Sequence, residues 1–196
     1  LRGWPAAVVL ETNGGAGRLF EECYRPADVT AGAVFEKEPA KAEMLARQRP
    51  TWAVYEADCI AALAAGAAGH LVFNFIDVDP YGAAFPVIEA ALSHPKRLAD
   101  RIRLVVNDGL RQKVQLGGAW SVDCLADIVA EFGNNLYPVY LDVAKEKTRR
   151  LARAAGFELV EWSGYYCGHA GGMTHYSAEL LRSGATSTGS GRRRAG

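Results

Sequence analysis

Hydrophobic positions in this chain fall in short unbroken runs, and the early ones each end in an acid or an amide. Residues 6–10 read Ala-Ala-Val-Val-Leu and stop at Glu11, and residues 33–35 read Ala-Val-Phe and stop at Glu36. Residues 52–56 lead to Asp58, residues 70–76 to Asp77 and residues 102–106 to Asn107. Runs of this length, rich in β-branched and aromatic residues, predict strands. The segments between them carry helical patterns over 18–24, 41–47, 59–65 and 85–92. Their punctuation agrees: Pro26 ends the first, Pro39 and Pro50 bracket the second, Asp58 caps the third and Pro86 sits near the start of the fourth. Alternating strands and helices predict an α/β fold with a doubly wound, mostly parallel sheet. Right-handed crossovers then gather Glu11, Glu36, Asp58, Asp77 and Asn107 at one edge, where open α/β sheets bind ligands. The run at 70–76 is apolar nearly throughout, as suits a central strand covered on both faces.

The second half is patterned differently. Region 108–143 is longer than a simple crossover needs, and reads as an insertion that covers the substrate. It opens with a loop over 108–120 carrying Arg111, Lys113, Gln115 and Trp120. A helix over 121–132 follows, with Val122, Leu125, Val129 and Phe132 on one face and Gly133 as its stop. Residues 137–141 read as extended, 145–155 as a helix, 157–162 as strand six and 174–181 as strand seven. A connection rich in glycine and aromatics, 163–173, joins these last strands, which suggests a final antiparallel pair in a sheet of about seven strands. The domain is expected to span 1–183. The tail 184–196 is small and polar with Arg192, Arg193 and Arg194, a composition that predicts disorder.

Composition narrows the class. A chain of 196 residues, 49% hydrophobic and 22% charged, suits one domain with a substantial core. The formal net charge of zero demands no nucleic-acid partner overall, though local patches remain open. Cys23, Cys59, Cys124 and Cys167 are far apart with no C-x-x-C, so reduced, mostly buried thiols and a cytoplasmic location are expected. No run reaches the roughly 18 apolar residues of a membrane span, and no signal peptide is visible. The chain begins close to its first strand, which suggests a fragment or a missing N-terminal helix.

After Glu11 comes Thr12-Asn13-Gly14-Gly15-Ala16-Gly17, a glycine-rich turn between strand one and a helix. Glycine permits positive φ and close backbone approach, and a helix start offers free N–H groups. Glu36 follows Gly17 by about twenty positions, the distance at which a carboxylate can accept from both hydroxyls of a ribose. Glu38 competes for that role. A nicotinamide fingerprint, G-x-G-x-x-G/A, fits poorly: counted from Gly15 it ends on bulky Phe20, and counted from Gly14 its second glycine falls on Ala16. The stretch from Glu11 to Gly17 resembles instead the E/D-x-G-x-G-x-G motif of class I S-adenosylmethionine (SAM)-dependent methyltransferases, with Asn13 replacing the first glycine. The resemblance implies a Rossmann-like fold and SAM held by Glu11, Asn13, Gly14, Gly15, Gly17, Glu36, Asp58 and Asp77. Asp58 would take the place of the family's acid at the adenine amino group, or simply cap its helix.

The sharpest motif leaves the fourth strand: Asp77-Val78-Asp79-Pro80-Tyr81-Gly82. An exocyclic amine on a nucleobase is a weak nucleophile because its lone pair is delocalised into the ring. Asp79 can accept one of its N–H groups, a backbone carbonyl beside Pro80 the other, and the ring of Tyr81 offers a stacking face worth about 1–3 kcal/mol. A plain turn would use the same residue types, since Asp, Pro and Gly all favour turns. Asp-Pro-Tyr-Gly resembles the Asp-Pro-Phe/Tyr-Gly segment of tRNA guanine-N2 methyltransferases and, more distantly, the [D/N/S]-P-P-Y segment of amino-methylating DNA and RNA enzymes. That implies Asp79, Pro80 and Tyr81 as catalytic residues and RNA or DNA as substrate, with no membrane partner. The single proline and the absence of a separate tRNA-binding domain depart from those families.

Other residues are read more plainly. Arg111 and Lys113 suit either phosphates or a solvated loop. His169 and His175 lack a partner at metal-ligand spacing, so no metal is expected. Trp120, Tyr165 and Tyr166 suit packing better than base stacking. Three rival functions stay open: methylation of a small molecule or protein, a nicotinamide oxidoreductase, and a non-catalytic subunit of this fold that binds nucleic acid.

Overall fold

The computed structural model describes residues 6–29, 31–80, 82–111, 123–133 and 135–185. Seven strands form one sheet: β1 (Val8–Glu11), β2 (Ala31–Glu36), β3 (Ala53–Glu56), β4 (Phe73–Val78), β5 (Leu98–Asp108), β6 (Phe157–Cys167) and β7 (Met173–Arg182), in the order β3-β2-β1-β4-β5-β7-β6. The first five strands run parallel, and β7 pairs antiparallel with both β5 and β6. The expected doubly wound, mostly parallel sheet with a final antiparallel pair is therefore what the chain forms. The helices are α1 (Pro39–Gln48), α2 (Cys59–Ala64), α3 (Phe85–Leu92), α4 (Ala126–Phe132) and α5 (Tyr140–Ala154), with a π-helical turn at Phe20–Tyr24 after β1.

Two cores lie on opposite faces of the sheet. The larger packs Phe73, Ile76, Ile102, Leu104 and Leu180 against Phe85, Ile88 and Leu92 of α3 and Tyr140 and Val143 of α5. The smaller holds Val9, Val34, Leu45, Trp52, Phe20 and Tyr24 under α1 and the π turn. That second face changes character across the sheet. Beyond β4 it carries Arg103, Val105 and Asn107 of β5, opposite Glu179, Ser177 and His175 of β7. Directly opposed residues on antiparallel strands share a face. The next strand adds Glu161, Ser163 and Tyr165 in the same rows, and all three are exposed. The sheet is thus covered on both faces in its parallel wing and open on one face in its antiparallel wing.

Several elements differ from the sequence reading. Residues 137–141 are a helical turn running into α5, not a strand, because Pro138 sits in the first turn and Tyr140 is fully buried. Strands β5, β6 and β7 run longer than the apolar runs. Polar positions along β5 are matched on the next strand, where Arg101 and Arg103 pair with Glu179 across the sheet. The glycine-rich stretch after Trp162 continues β6: a Cβ on Gly164 would come 2.8 Å from Leu141 Cδ2, so glycine there serves close packing against α5. The helix expected from 121 is described from 123, as a 3-10 turn leading into α4, and Gly133 at φ +77° ends it. Lys113, Gln115, Trp120, Val122, Tyr81 and most of the arginine tail lie outside the described residues. No described helix is long and apolar enough to cross a membrane.

Candidate active site

The carboxyl ends of the parallel strands meet at one edge, and the glycine turn forms there for local reasons. Gly14 N–H donates to Phe35 O (2.9 Å) and Gly17 N–H to Gly14 O (2.9 Å), which tucks the turn against β2. A Cβ on Gly14 would stand 2.5 Å from Leu45 Cδ1, and Gly17 adopts φ +74°. Asn13 is not among the residues with positive φ, so the residue replacing the family's glycine needs no left-handed geometry. A Cβ on Gly15 would meet nothing within 4 Å, so the turn presents bare backbone to open space. Glu36 fastens it: Oε2 accepts from Gly15 N (2.9 Å) and Oε1 from Glu38 N (2.9 Å). Each carboxylate oxygen can accept twice, so Glu36 keeps acceptor capacity.

The other acids divide into structural and open ones. Glu11 is 2% exposed and pairs with the fully buried Arg49, whose guanidinium lies over the rings of Phe20 and Trp52. Burial pushes the Glu11 carboxyl up to about 7, against the pull of Arg49. Asp77 takes the hydroxyl of Tyr24 and is raised to about 6, again by burial. Its backbone oxygen accepts from Thr12 N–H (3.0 Å) and from Thr12 Oγ1 (3.1 Å). These acids brace the glycine turn from below. Asp58 caps α2 through Ala61 N–H (2.9 Å) and pairs with Lys37, which together hold its carboxyl below the usual range.

Asp79 is the open one. It stands just past β4 and accepts from Asn107 Nδ2 at 2.7 Å. Burial raises its carboxyl and that hydrogen bond opposes the rise. After it the chain turns sharply: Gly82 N–H donates to the Pro80 carbonyl (2.8 Å), and Gly82 has φ +131°. That carbonyl therefore has one of its two lone pairs engaged. Asp79 lines a cleft of about 300 Å³ that starts beside Leu19 and Asp77 and runs over Val105, Asn107, Ser177, His175, Ser163 and Tyr165. The volume is at the lower end for small-molecule sites. Two acids, Asp77 and Asp79, and one histidine, His175, stand among the described lining, with no Lys or Arg.

Four residues sit differently from their sequence reading. Arg111 is not free for phosphates: it is 8% exposed, sandwiched between the rings of Tyr137 (3.8 Å) and Tyr166 (3.9 Å), and donates to the Tyr137 (3.3 Å) and Gly171 carbonyls. Tyr165 and His175, read as packing and as bland, face the cleft. Asp108, read as the start of a loop, is a buried hub at the end of β5 that accepts from Tyr140 OH (2.7 Å), from Leu110 N–H (2.9 Å) and from Ala84 N–H.

No protein-family model and no curated protein matches the sequence. Solved structures do match in fold. Trm1 from Pyrococcus horikoshii, solved with S-adenosyl-L-methionine, superposes with a TM-score of 0.62 at 15% identity over 90% of this chain and 51% of its own. The plantazolicin methyltransferase BpumL, solved with SAH, gives 0.55 at 10% identity over 90% of this chain and 76% of its own. The fold is that of the Rossmann-like methyltransferases. Fibrillarin from Methanococcus jannaschii, a pre-rRNA processing protein, shares it with a TM-score of 0.56 at 15% identity, over 91% of this chain and 67% of its own. The chain spans about half the length of Trm1. The glycine turn, Glu36 and Asp79 lie at the carboxyl edge of the sheet, the edge at which open α/β sheets bind ligands.

Proposed function

We propose that the protein is a SAM-dependent methyltransferase that acts on an exocyclic amine of a nucleobase, in RNA ahead of DNA. Asp79 carries the reading: it is an acid beyond the central strand, beside the glycine turn, held by Asn107 and open to a cleft. The residues present fit the cofactor. Gly15 exposes backbone to it on the turn that the buried Gly14 and Gly17 shape, Glu36 has acceptor capacity left for a ribose diol, and Asp58 lies one strand further on. Glu11 and Asp77 act indirectly, by bracing the turn, with Asn13 within it. SAM supplies an electrophilic methyl group on a sulfonium. Asp79 accepts one amine N–H and directs the nitrogen lone pair toward that methyl, Pro80 fixes the turn and offers a carbonyl lone pair, and Tyr81 stacks on the base. Holding the reacting atoms in line supplies much of the rate. The SAM-bound Trm1 and the rRNA-processing fibrillarin of the same fold support this choice.

The test pairs titration calorimetry with tritiated-methyl transfer to separate RNA, DNA, protein and small-molecule pools. Wild-type protein should bind SAM and label RNA. Asp79→Ala should keep SAM affinity nearly intact and lose about 10²–10³-fold in transfer. NADH binding without SAM binding would overturn the reading. The absence of Lys and Arg from the described lining of the cleft favours, as a second reading, an acceptor that carries no phosphate. Label in the small-molecule or protein pool alone would select it, and SAM binding with no transfer at all would select a non-catalytic subunit.

A further inference from the structure

Methylating an amine leaves a proton to dispose of. As the nitrogen–carbon bond forms and the carbon–sulfur bond breaks, sulfur keeps the bonding pair and nitrogen becomes cationic. One N–H proton must then leave, and the Asp79 carboxylate is positioned to take it. Asp79 must lose that proton before the next turnover, yet it is partly buried and its nearest partner, Asn107, offers an N–H donor rather than a base. The other Asn107 atom, Oδ1, is buried without a partner among the described residues.

The strand register shows where the proton can go. Asn107 of β5 lies directly opposite His175 of β7, and His175 directly opposite Tyr165 of β6. The three side chains form one row on the open face of the antiparallel wing, running from Asp79 to the sheet's outer strand. Tyr165 stands at the far end, 59% exposed, with its hydroxyl 3.5 Å from His175 Nδ1 and its ring tilted against the imidazole. The ionisable groups that share the cleft with His175 are Asp77 of β4, Asp79 just past it and Tyr165 of β6, and no Lys or Arg is among the described lining; Tyr176, next to it on β7, turns to the larger core on the other face. A neutral imidazole can accept a proton on one nitrogen while the other is held by a hydroxyl.

We propose that His175 is a relay residue that takes the methylated amine's proton from Asp79, directly or through one water, and releases it to solvent at Tyr165. The proposal rests on the amine-methylation reading above. The proton balance closes without a further reagent: cationic SAM and neutral amine give a neutral thioether, a neutral methylamine and one proton to solvent.

The experiment is a pH–rate profile of tritiated-methyl transfer from SAM into whichever pool the wild-type protein labels, with thermal unfolding as a control for folding. His175→Gln should lower the maximal rate at about the 10²-fold lower end of general acid–base effects. It should also shift the acid limb of the profile to lower pH, leaving the limb of Asp79 alone. His175→Ala should behave alike and recover rate when imidazole is added. Unchanged rate and profile in His175→Gln would overturn the relay, as would a lowered rate with an unshifted limb and no rescue by imidazole. Wild-type protein that transfers no methyl would instead overturn the function on which the relay rests.

Discussion

Asp108 shows how much one carboxyl can organise without touching a ligand. It holds the start of α3 through Ala84, the chain after β5 through Leu110, and α5 through the Tyr140 hydroxyl. Burial lifts its carboxyl to about 6, so the folded protein binds this proton more tightly than the unfolded chain does. Its contribution to stability is therefore full below the ordinary carboxylate range, and is lost as pH rises through about 6. Asp108→Asn keeps one acceptor for Leu110 N–H, turns an N–H donor to the Tyr140 hydroxyl, which can rotate to accept it, and removes the charge. Its melting temperature should equal or exceed the wild type's at pH 8 and change less between pH 4 and pH 6. Asp108→Ala should cost about 1–3 kcal/mol at every pH, because the buried hydrogen bonds from Leu110 N–H and Tyr140 OH to this side chain are lost. Thermal unfolding across that range checks both, and a parallel pH dependence in Asp108→Asn would sink the assignment. Nothing local in the sequence marks this residue. Its partners Ala84 and Tyr140 are distant, and Asp-Gly after an apolar run reads as a turn.

At the scale of elements, the glycine turn makes the clearest demand on its residues. Gly17 takes φ +74°, and a Cβ there would fall 2.3 Å from Gln48 Oε1 on α1. Gly17→Ala should cost about 1–2 kcal/mol from the left-handed backbone alone, plus whatever is needed to displace Gln48. In the double variant with Gln48→Ala only the second part should return, which chemical denaturation can separate. Full recovery would show the backbone to be unstrained. Elements like this were legible because glycine spacing and strand-ending acids are local signals. The strands of the parallel wing were legible because each is an apolar run. What stayed hidden depends on contacts distant in sequence. Arg49 reads as the end of a helix before Pro50, though it crosses to Glu11. β5 begins before its apolar run, and its early Arg101 is held by Glu179 of the neighbouring β7. Gly164 reads as loop because its use is to admit Leu141.

The whole molecule separates two tasks by the coverage of its sheet. The parallel wing, closed on both faces, holds the glycine turn and Glu36. The antiparallel wing leaves one face open, and its polar row of Ser163, Tyr165, His175 and Ser177 floors the cleft next to Asp79. β4 is the seam, so a substitution on one wing should leave the ligand of the other unaffected. Glu36→Ala should weaken SAM binding by roughly the 1.5–3 kcal/mol of a charge-assisted hydrogen bond and leave the acceptor's KM in place. Tyr165→Ala should leave SAM affinity in place and lower the rate of transfer by up to about 10²-fold, because the outlet beside His175 on the antiparallel wing is lost. Since the two residues stand on strands separated by β1, β4, β5 and β7 and share no partner, their free energies in transfer efficiency should add to within about 0.5 kcal/mol in the double variant. Calorimetry with SAM and transfer kinetics on all four proteins measure every term. A Tyr165→Ala variant that loses SAM affinity would place the cofactor across both wings, and a strongly non-additive double variant would mean that the two sites move as one.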